Sequence, residues 1–345
     1  EVLRIINEPT AAALAYGLEG MTTYILRRIS QSIIVVIGVT LLSFISLHLA
    51  GDPTYLYVSE RASSEEIAAA RIALGFDRPL PEQYLSFVSG MLRGDLGTSL
   101  RSRQPAANMV LERLPATLEL TIFALVLAIS LAIPIGIISA TKRGTPLDSG
   151  IMLFAMFGQS IPSFWLGIML ILFVGLTLRW LPISGYVPVL QPMLNGDFAT
   201  AIDNLPNALR HLILPGITIA TFSLSRNARL VRSAMLEVLN QDYVRTARAK
   251  GLSGRVVVFR HAFRNALIPV VTILGLEFGF LLSGVVVTET VFSWPGVGRL
   301  VFNAITQRDI PVVQASVVIF SLVFVTLNLI VDLLYAQLDP RIRIG

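Results

Sequence analysis

The sequence predicts an all-α, polytopic membrane protein with six transmembrane helices and both termini in the cytoplasm. Three observations predict it. Hydrophobic residues make up 54% of the 345 positions and charged residues only 14%, where an ordinary soluble domain carries about 25% charge. The apolar residues lie in runs of about 20, the length that crosses a hydrocarbon core of about 30 Å. Lys and Arg concentrate in alternate connecting segments, as the positive-inside rule requires. The same figures exclude a disordered chain and argue against a soluble enzyme. The net charge of +5 reads as basic cytoplasmic loops rather than as a nucleic-acid surface. There is no Cys, so no disulfide, iron–sulfur cluster or thiolate metal site can form. His48, His211 and His261 are far apart and match no metal-ligand spacing, so no metal site and no catalytic residue are assigned.

Six windows qualify as spans: Ile29–Leu49, Leu118–Ala140, Ile151–Leu176, Leu212–Leu230, Leu267–Val287 and Val312–Leu334. The fourth is the weakest, with Ser223, Ser225, Arg226 and Arg229 near its end. Pro134 and Pro162 fall inside spans, where kinks are tolerated. With the N-terminus inside, the cytoplasmic segments hold Arg27 and Arg28, Lys142 and Arg143, nine basic residues from Arg226 to Arg264, and Arg341 and Arg343. That is about twofold to threefold the density of the outer segments. The first span is too long for a signal-peptide core and no small-x-small cleavage site comes after it, so it is expected to stay as an anchor.

Glu1–Gly20, EVLRIINEPTAAALAYGLEG, stands apart from the rest of the chain. It resembles a stretch of the ATPase domain of Hsp70-type chaperones, whose phosphate-binding loops are absent here. Twenty residues cannot form an ATPase. The expectation is a fusion scar, an expression artefact or a mis-assigned start, with Met21 opening a plausible natural chain, and the segment is excluded from fold reasoning. Residues 21–345 then form one transmembrane domain.

Two connecting segments are too long to be simple turns. The outer loop 51–115 carries a capping-box spacing, Ser63 to Glu66, before an Ala-rich run that stops at Gly75. Pro81 can start a second helix ending near Gly94. This loop is either a lid packed on the helix ends or a gate or dock for an external partner. The cytoplasmic loop 233–266 has helical spacing over Ser233–Asn240. Asp242 is placed to N-cap a basic helix, Tyr243–Lys250, that stops at Gly251, and a further short helix covers Gly254–Asn265. A basic, capped helix on the cytoplasmic face suits either a groove on a partner protein or anionic lipid.

Asp242-Tyr243-Val244-Arg245-Thr246-Ala247-Arg248-Ala249-Lys250-Gly251, then RHAFRNALIPVVT, resembles the coupling loop of ABC-importer permeases, closest to the dipeptide/oligopeptide branch that also includes nickel and glutathione importers. Further stretches agree in order: GDP at Gly51–Pro53, GDLGTSLRSRQP at Gly94–Pro105, ATLEL at Ala116–Leu120, TETVFSWPGVGRL at Thr288–Leu300, RDIPVVQ at Arg308–Gln314 and DLLYAQLDPRIR at Asp332–Arg343. The resemblance spans essentially Met21–Gly345. Arg245-Thr246-Ala247 stands where the general importer pattern has Glu-Ala-Ala, and the pattern's Ile-x-Leu-Pro is replaced by a later Ile268-Pro269. Both departures look typical of the peptide branch.

The resemblance implies the type I ABC importer permease fold in a bacterial inner membrane. It also implies a complex with a second homologous permease, two ATPase subunits and an extracellular or periplasmic substrate-binding protein. This chain has no P-loop motif, so ATP and Mg would be held by the partner subunits, with no cofactor here. Asp242, Tyr243, Arg245, Thr246, Ala247, Arg248, Ala249, Lys250 and Gly251 would dock in an ATPase cleft, and Gly251 would end the lever where a side chain would clash. Dipeptides or oligopeptides are the expected cargo, with nickel or glutathione as alternatives.

Glu277 lies ten residues into the fifth span, about 15 Å deep at 1.5 Å per residue. An acid at that depth is a functional candidate by default. It is either a translocation-path group for a peptide ammonium or a hydrogen-bonded packing residue between helices. Asp332 is expected to cap structure at the inner end of the sixth span. Ser293-Trp294-Pro295-Gly296-Val297-Gly298 reads mostly as a structural turn on the outer side. A stand-alone channel or secondary transporter is the competing class; the absence of an internal repeat and the lone mid-membrane acid weigh against it. A membrane enzyme is a third class, opposed by the lack of any paired Ser/His/Asp or metal constellation.

Overall fold

The computed structural model of the chain describes the backbone of residues 8–49, 52–58 and 61–338, with side chains over most of 26–330. Among these residues every regular element is helical, and the one strand-like pairing is an isolated bridge between Thr98 and Pro105. Four helices are long and apolar enough to cross a bilayer: α1 (Glu8–Leu49), α4 (Ala106–Thr141), α8 (Phe198–Leu239) and α13 (Ile310–Leu338). The pair α5 (Pro146–Ser160) and α6 (Ser163–Leu170, continued by a π-helical turn Ile171–Thr177) makes a fifth if counted as one span. The expected span Leu267–Val287 lies within α11 (Arg264–Val291), where the side chains of 267–276 are outside the described residues. The Asp332 side chain is outside them too.

The third expected span, Ile151–Leu176, is broken rather than kinked. Its two halves meet at 100°. A residue before proline is pushed out of the helical region by the ring, and Ile161, before Pro162, sits at φ −77°, ψ 125°. Pro115 and Pro134, by contrast, lie inside α4 without ending it. Because α4 starts at Ala106, the outer loop is shorter than the sequence placed it.

The chain divides into two compact units, Glu1–Asn108 with Arg308–Gly345, and Met109–Gln307. In the first, α1 pairs with α13, and Gln314 Nε2 donates to the Ser43 carbonyl at 3.2 Å. α1 runs through Met21 as one helix, so the change of sequence character there leaves no break in the backbone. Asp52 of the GDP stretch caps a short 3₁₀ turn, Pro53–Leu56, accepting from the Thr54 hydroxyl at 2.6 Å and the Thr54 amide at 2.9 Å. Those two bonds hold its carboxyl below the usual carboxylate range.

The outer loop carries α2 (Ser64–Ala73) and α3 (Leu80–Leu92). α2 opens with the full capping box: Glu66 N–H donates to Ser63 Oγ, and Ser63 N–H to Glu66 Oε2. Such a cap is worth about 1 kcal/mol. Two of the resembling stretches meet on one carboxylate: Asp309 accepts from Ser99 Oγ at 2.5 Å and from the Leu100 amide at 3.0 Å.

In the second unit, α4, α8 and α11 bury Leu120, Ala124, Leu212, Ile219, Leu281 and Val285 against Trp294. Glu119 of α4 accepts from the Val189 and Leu190 amides, which anchors the start of the short α7 (Leu190–Leu194). The turn between α11 and α12 (Val297–Thr306) explains the SWPGVG stretch. Glu289 is fully buried and accepts from Thr117 Oγ1 at 2.7 Å and from the Arg299 amide at 2.9 Å, in the first turn of α12. Thr117 Oγ1 in turn accepts from the Val297 amide at 2.8 Å, and Trp294 Nε1 donates to the Ala116 carbonyl at 2.9 Å. A Cβ on Gly296 would overlap the Glu289 carboxylate, so glycine is required there by close approach. The ATLEL and TETVFSWPGVGRL stretches are thus two halves of one buried polar knot, a structural turn as the sequence indicated.

Candidate functional site

The loop 233–266, expected on the cytoplasmic side, starts from a helix that does not stop where the sequence suggested. Ser233–Leu239 is the end of α8, not a separate element. After one turn the chain enters α9 (Asp242–Ala249), whose N-cap is Gln241, without a side-chain bond. Asp242 is therefore the first helical residue rather than the cap. Its carboxylate, 97% exposed, lies 3.6 Å from Arg245 Nη1, an exposed pair of little energetic value. The expected helix Gly254–Asn265 is a short turn, α10 (Gly254–Val256), then a π-helical stretch Val257–Phe263 that passes directly into α11.

α9 has two faces. Val244 and Ala247, three residues apart, are buried with Val257 against Val238 and Leu239. Asp242, Tyr243, Arg245, Thr246, Arg248 and Ala249 are exposed, as are Lys250 and Gly251 beyond its end. Ala247 alone of the nine expected docking residues points inward. The Tyr243 hydroxyl accepts from Asn265 Nδ2 at 2.8 Å, which ties α9 to the start of α11. The helix ends in a Schellman motif: Gly251 N–H donates to the Arg248 carbonyl at 2.9 Å and Leu252 N–H to the Ala247 carbonyl at 3.4 Å. Gly251 sits at φ +77°, and a Cβ there would meet nothing within 4 Å of this chain. The expected steric clash is absent within the chain. The backbone conformation is what calls for glycine.

The nine basic residues from Arg226 to Arg264 divide into two groups. Arg226, Arg229 and Arg232 lie along α8 at i, i+3 and i+6 and each engages another helix: Arg226 with Glu277, Arg229 with Gln159, and Arg232 with Asp148. The last is bidentate, at 2.8 and 2.9 Å. Asp148, itself buried, also accepts from Ser139 Oγ and the Gly144 amide. The other six, Arg245, Arg248, Lys250, Arg255, Arg260 and Arg264, are exposed. Only Glu237 and Asp242 offset them between Arg226 and Arg264, so the exposed residues of this segment are strongly positive. The i, i+3 spacing of the three α8 arginines was the available signal for the ladder; reading the fourth span as ending near Leu230 concealed it.

Beneath α9, Met235, Val231 and Ala234 of α8 pack with Ile137 and Ala140 of α4 and with Ala262 and Ala266. α9 is seated on the end of α8 and on the π-helical stretch that leads into α11. Glu277 is fully buried. Ser223 Oγ donates to its Oε1 at 2.6 Å and Arg226 to its Oε2, so each oxygen already holds a partner.

Comparison with known proteins identifies the family. The profile of the binding-protein-dependent transport system inner membrane component family matches residues 132–344, and that of its N-terminal component matches 21–121. An Hsp70 protein profile matches residues 1–40. The di/tripeptide transport system permease protein DppB of Pseudomonas aeruginosa (strain UCBPP-PA14) is 44% identical over 333 residues, covering 94% of this chain and 99% of the relative. The dipeptide transport system permease protein DppB of Escherichia coli (strain K12) is 43% identical over 336 residues, with the same coverage. A crystal structure of an amino acid ABC transporter with histidines matches at a TM-score of 0.44 and 14% identity, covering 68% of this chain and 94% of that one. The chain belongs to the family of binding-protein-dependent transport system inner membrane components, the multi-pass permease subunits of ABC importers.

Proposed function

We propose that the chain forms half of the translocation path for dipeptides and short oligopeptides, beside a second homologous permease. Two separate ATPase subunits drive it and an external binding protein feeds it. Cargo identity is supported by the peptide permeases that match nearly the whole chain. The docking role is carried by one observation: α9 fixes its apolar side to the helix ends and leaves Tyr243, Arg245, Thr246, Arg248 and Lys250 outward. An anionic cleft on an ATPase is the matching surface. ATP-driven closure of that cleft would push α9, and the push would pass through Val244 and Ala247 into α8 and on to the inner ends of α4 and α11. ATP and Mg would stay on the partner chains, and this chain would do no chemistry.

The test is reconstitution of the whole importer in liposomes. Gly251→Asp should leave the complex inserted while ATP hydrolysis continues without dipeptide uptake; normal uptake would overturn the lever. Glu277 serves the path if a peptide ammonium displaces Arg226, in which case Glu277→Gln lowers uptake of cationic dipeptides selectively. Equal loss across dipeptides assigns it to packing. Uptake of nickel or glutathione instead of dipeptides would move the cargo within the branch. The segment Glu1–Gly20 resembles a different family and is assigned no part in this proposal. Removing it should leave uptake unchanged.

A further inference from the structure

Within the second unit a chamber of about 290 Å³ opens beside the break between α5 and α6. Its walls come from both sides of the break (Gly158, Pro162, Leu166), from α8 (Thr218) and from α11 (Leu281, Thr288). The broken helix makes the space: an unbroken third span would carry the chain straight past α8 instead of turning through 100°. The lining is mostly apolar, with hydroxyls from Ser163, Thr218, Thr221 and Thr288, and holds no Asp, Glu, Lys or Arg.

One polar group in that lining is unaccounted for. Helical Thr and Ser in an apolar setting normally return the hydroxyl to a carbonyl one turn back. Thr218, Thr221, Ser225 and Thr290 do so, at 2.7 to 2.9 Å. Thr288 does not. It is 1% exposed, lines the chamber, and its Oγ1 has no hydrogen-bond partner among the described residues. A buried hydroxyl without a partner costs about 1–3 kcal/mol, which an occupant carrying a polar atom would recover.

We propose that this chamber is a side-chain subsite of the path. It receives one uncharged, apolar side chain of a passing dipeptide, and Thr288, 1% exposed, turns about χ1 to bring its Oγ1 onto a polar atom of the adjacent peptide group. The size fits: an aliphatic cavity of about 150 Å³ already holds benzene, so about 290 Å³ takes a Leu or Phe side chain with part of its peptide unit. The chemistry fits as well. Hydroxyls and aliphatic walls cannot stabilise a free ammonium or carboxylate, so the charged termini stay outside. A lipid tail would fill the volume but leave Thr288 unpaired. The subsite rests on the dipeptide reading above and deepens it, because it lets the permease itself favour bulky apolar peptides.

The test uses the complete importer in liposomes, with Ala-Ala and Leu-Leu as paired substrates. Gly284 borders the chamber and a Cβ on it meets nothing within 4 Å, so Gly284→Leu extends into the space. The expected result is at least a fivefold fall in the ratio of Leu-Leu to Ala-Ala uptake, and about a threefold fall for Thr288→Val. An unchanged ratio in both variants overturns the subsite and leaves the dipeptide reading intact. Wild-type importer that moves neither dipeptide overturns both. Should Gly284→Leu fail to assemble, Thr288→Val and photolabelling decide. Ala-photoleucine, activated during turnover, should label the segments carrying Leu166, Phe222 and Leu281. Labelling of those segments by a diazirine phospholipid in place of the peptide overturns the proposal.

Discussion

Two signature stretches of this chain, Thr288–Leu300 and Asp242–Gly251, look alike in the sequence: compact, glycine-punctuated and specific to the family. In the structure they are opposites. The outer stretch, Thr288 apart, spends its polar groups inside the chain: Glu289, Trp294 and the α12 amides are satisfied in the interior with Thr117 and the Ala116 carbonyl. The inner stretch buries two small apolar residues and leaves its polar ones in water. The first kind of signature is required for the fold. In the second, only Val244, Ala247, the Tyr243 hydroxyl and Gly251 answer to this chain; the exposed basic residues do not, and the partner proposed above would account for them.

The largest stability effect should come from breaking the outer knot. Glu289→Ala leaves the Thr117 hydroxyl and the Arg299 amide without their acceptor in the interior. At about 1–3 kcal/mol for each such group, the loss is expected at ~3 kcal/mol or more, read as a collapse of inserted, monodisperse protein and of its melting temperature in detergent. Gly296→Ala should do similar damage by pushing on the same carboxylate. Melting temperatures within a few degrees of wild type for both would show that the knot is not what the signature preserves.

Next comes the α8 ladder, which tests whether inner-side arginines form one class. Arg232→Ala strands the buried Asp148 carboxylate. Breaking such a pair costs about 3–5 kcal/mol; Arg232 is 25% exposed, so the lower end is expected. Arg232→Gln with Asp148→Asn should recover part of the loss, because it removes the stranded charge. If Arg232→Ala melts like wild type but uncouples the importer, the ladder belongs with the docking surface instead.

The ladder also marks the limit of what the sequence makes legible. Apolar runs locate the helices because burial in lipid needs only composition and length, and the Ser63–Glu66 cap is local, so both can be read directly. The bend at Pro162 and the pairing of Arg226 with Glu277 cannot. A proline in a span is compatible with either a kink or a break, and tertiary packing decides. A charge near a span end reads as a cytoplasmic residue until the partner helix is known. The faces of α9 were half legible: its basic residues announced an exposed surface, while the inward turn of Ala247 depends on Val257, in the next helical stretch. Asp242 was misplaced as a cap by one residue, since Gln241 takes the extended conformation that ends the preceding turn.

A smaller effect is expected at Gly251. Its φ of +77° makes any L-residue cost about 1–2 kcal/mol, and no neighbour of the chain adds to that. Gly251→Ala and Gly251→Asp should therefore melt together, a degree or a few below wild type. Their uptake should differ, with Asp the worse, because a negative charge is set against the anionic cleft expected of the ATPase. Equal transport in the two variants would reduce the site to backbone geometry.

The smallest stability effect, and the sharpest test of the comparison, is charge reversal on the open face of α9. Arg245→Glu and Arg248→Glu touch no buried group. Arg245 has only the exposed contact with Asp242, and surface changes of this kind stay within about 0.5 kcal/mol. Their melting curves should overlay wild type. Binding of the ATPase subunits to the permease in detergent should nevertheless weaken at least tenfold, and more at low salt than at high, because exposed charges are screened over a Debye length of about 8–10 Å at physiological ionic strength. Lipid attraction would produce the same salt dependence, so the assay runs once with anionic and once with neutral lipid. A loss seen with both locates the anionic partner on the protein. A loss confined to anionic lipid returns α9 to the membrane surface and removes the main physical reason for separating the two signatures.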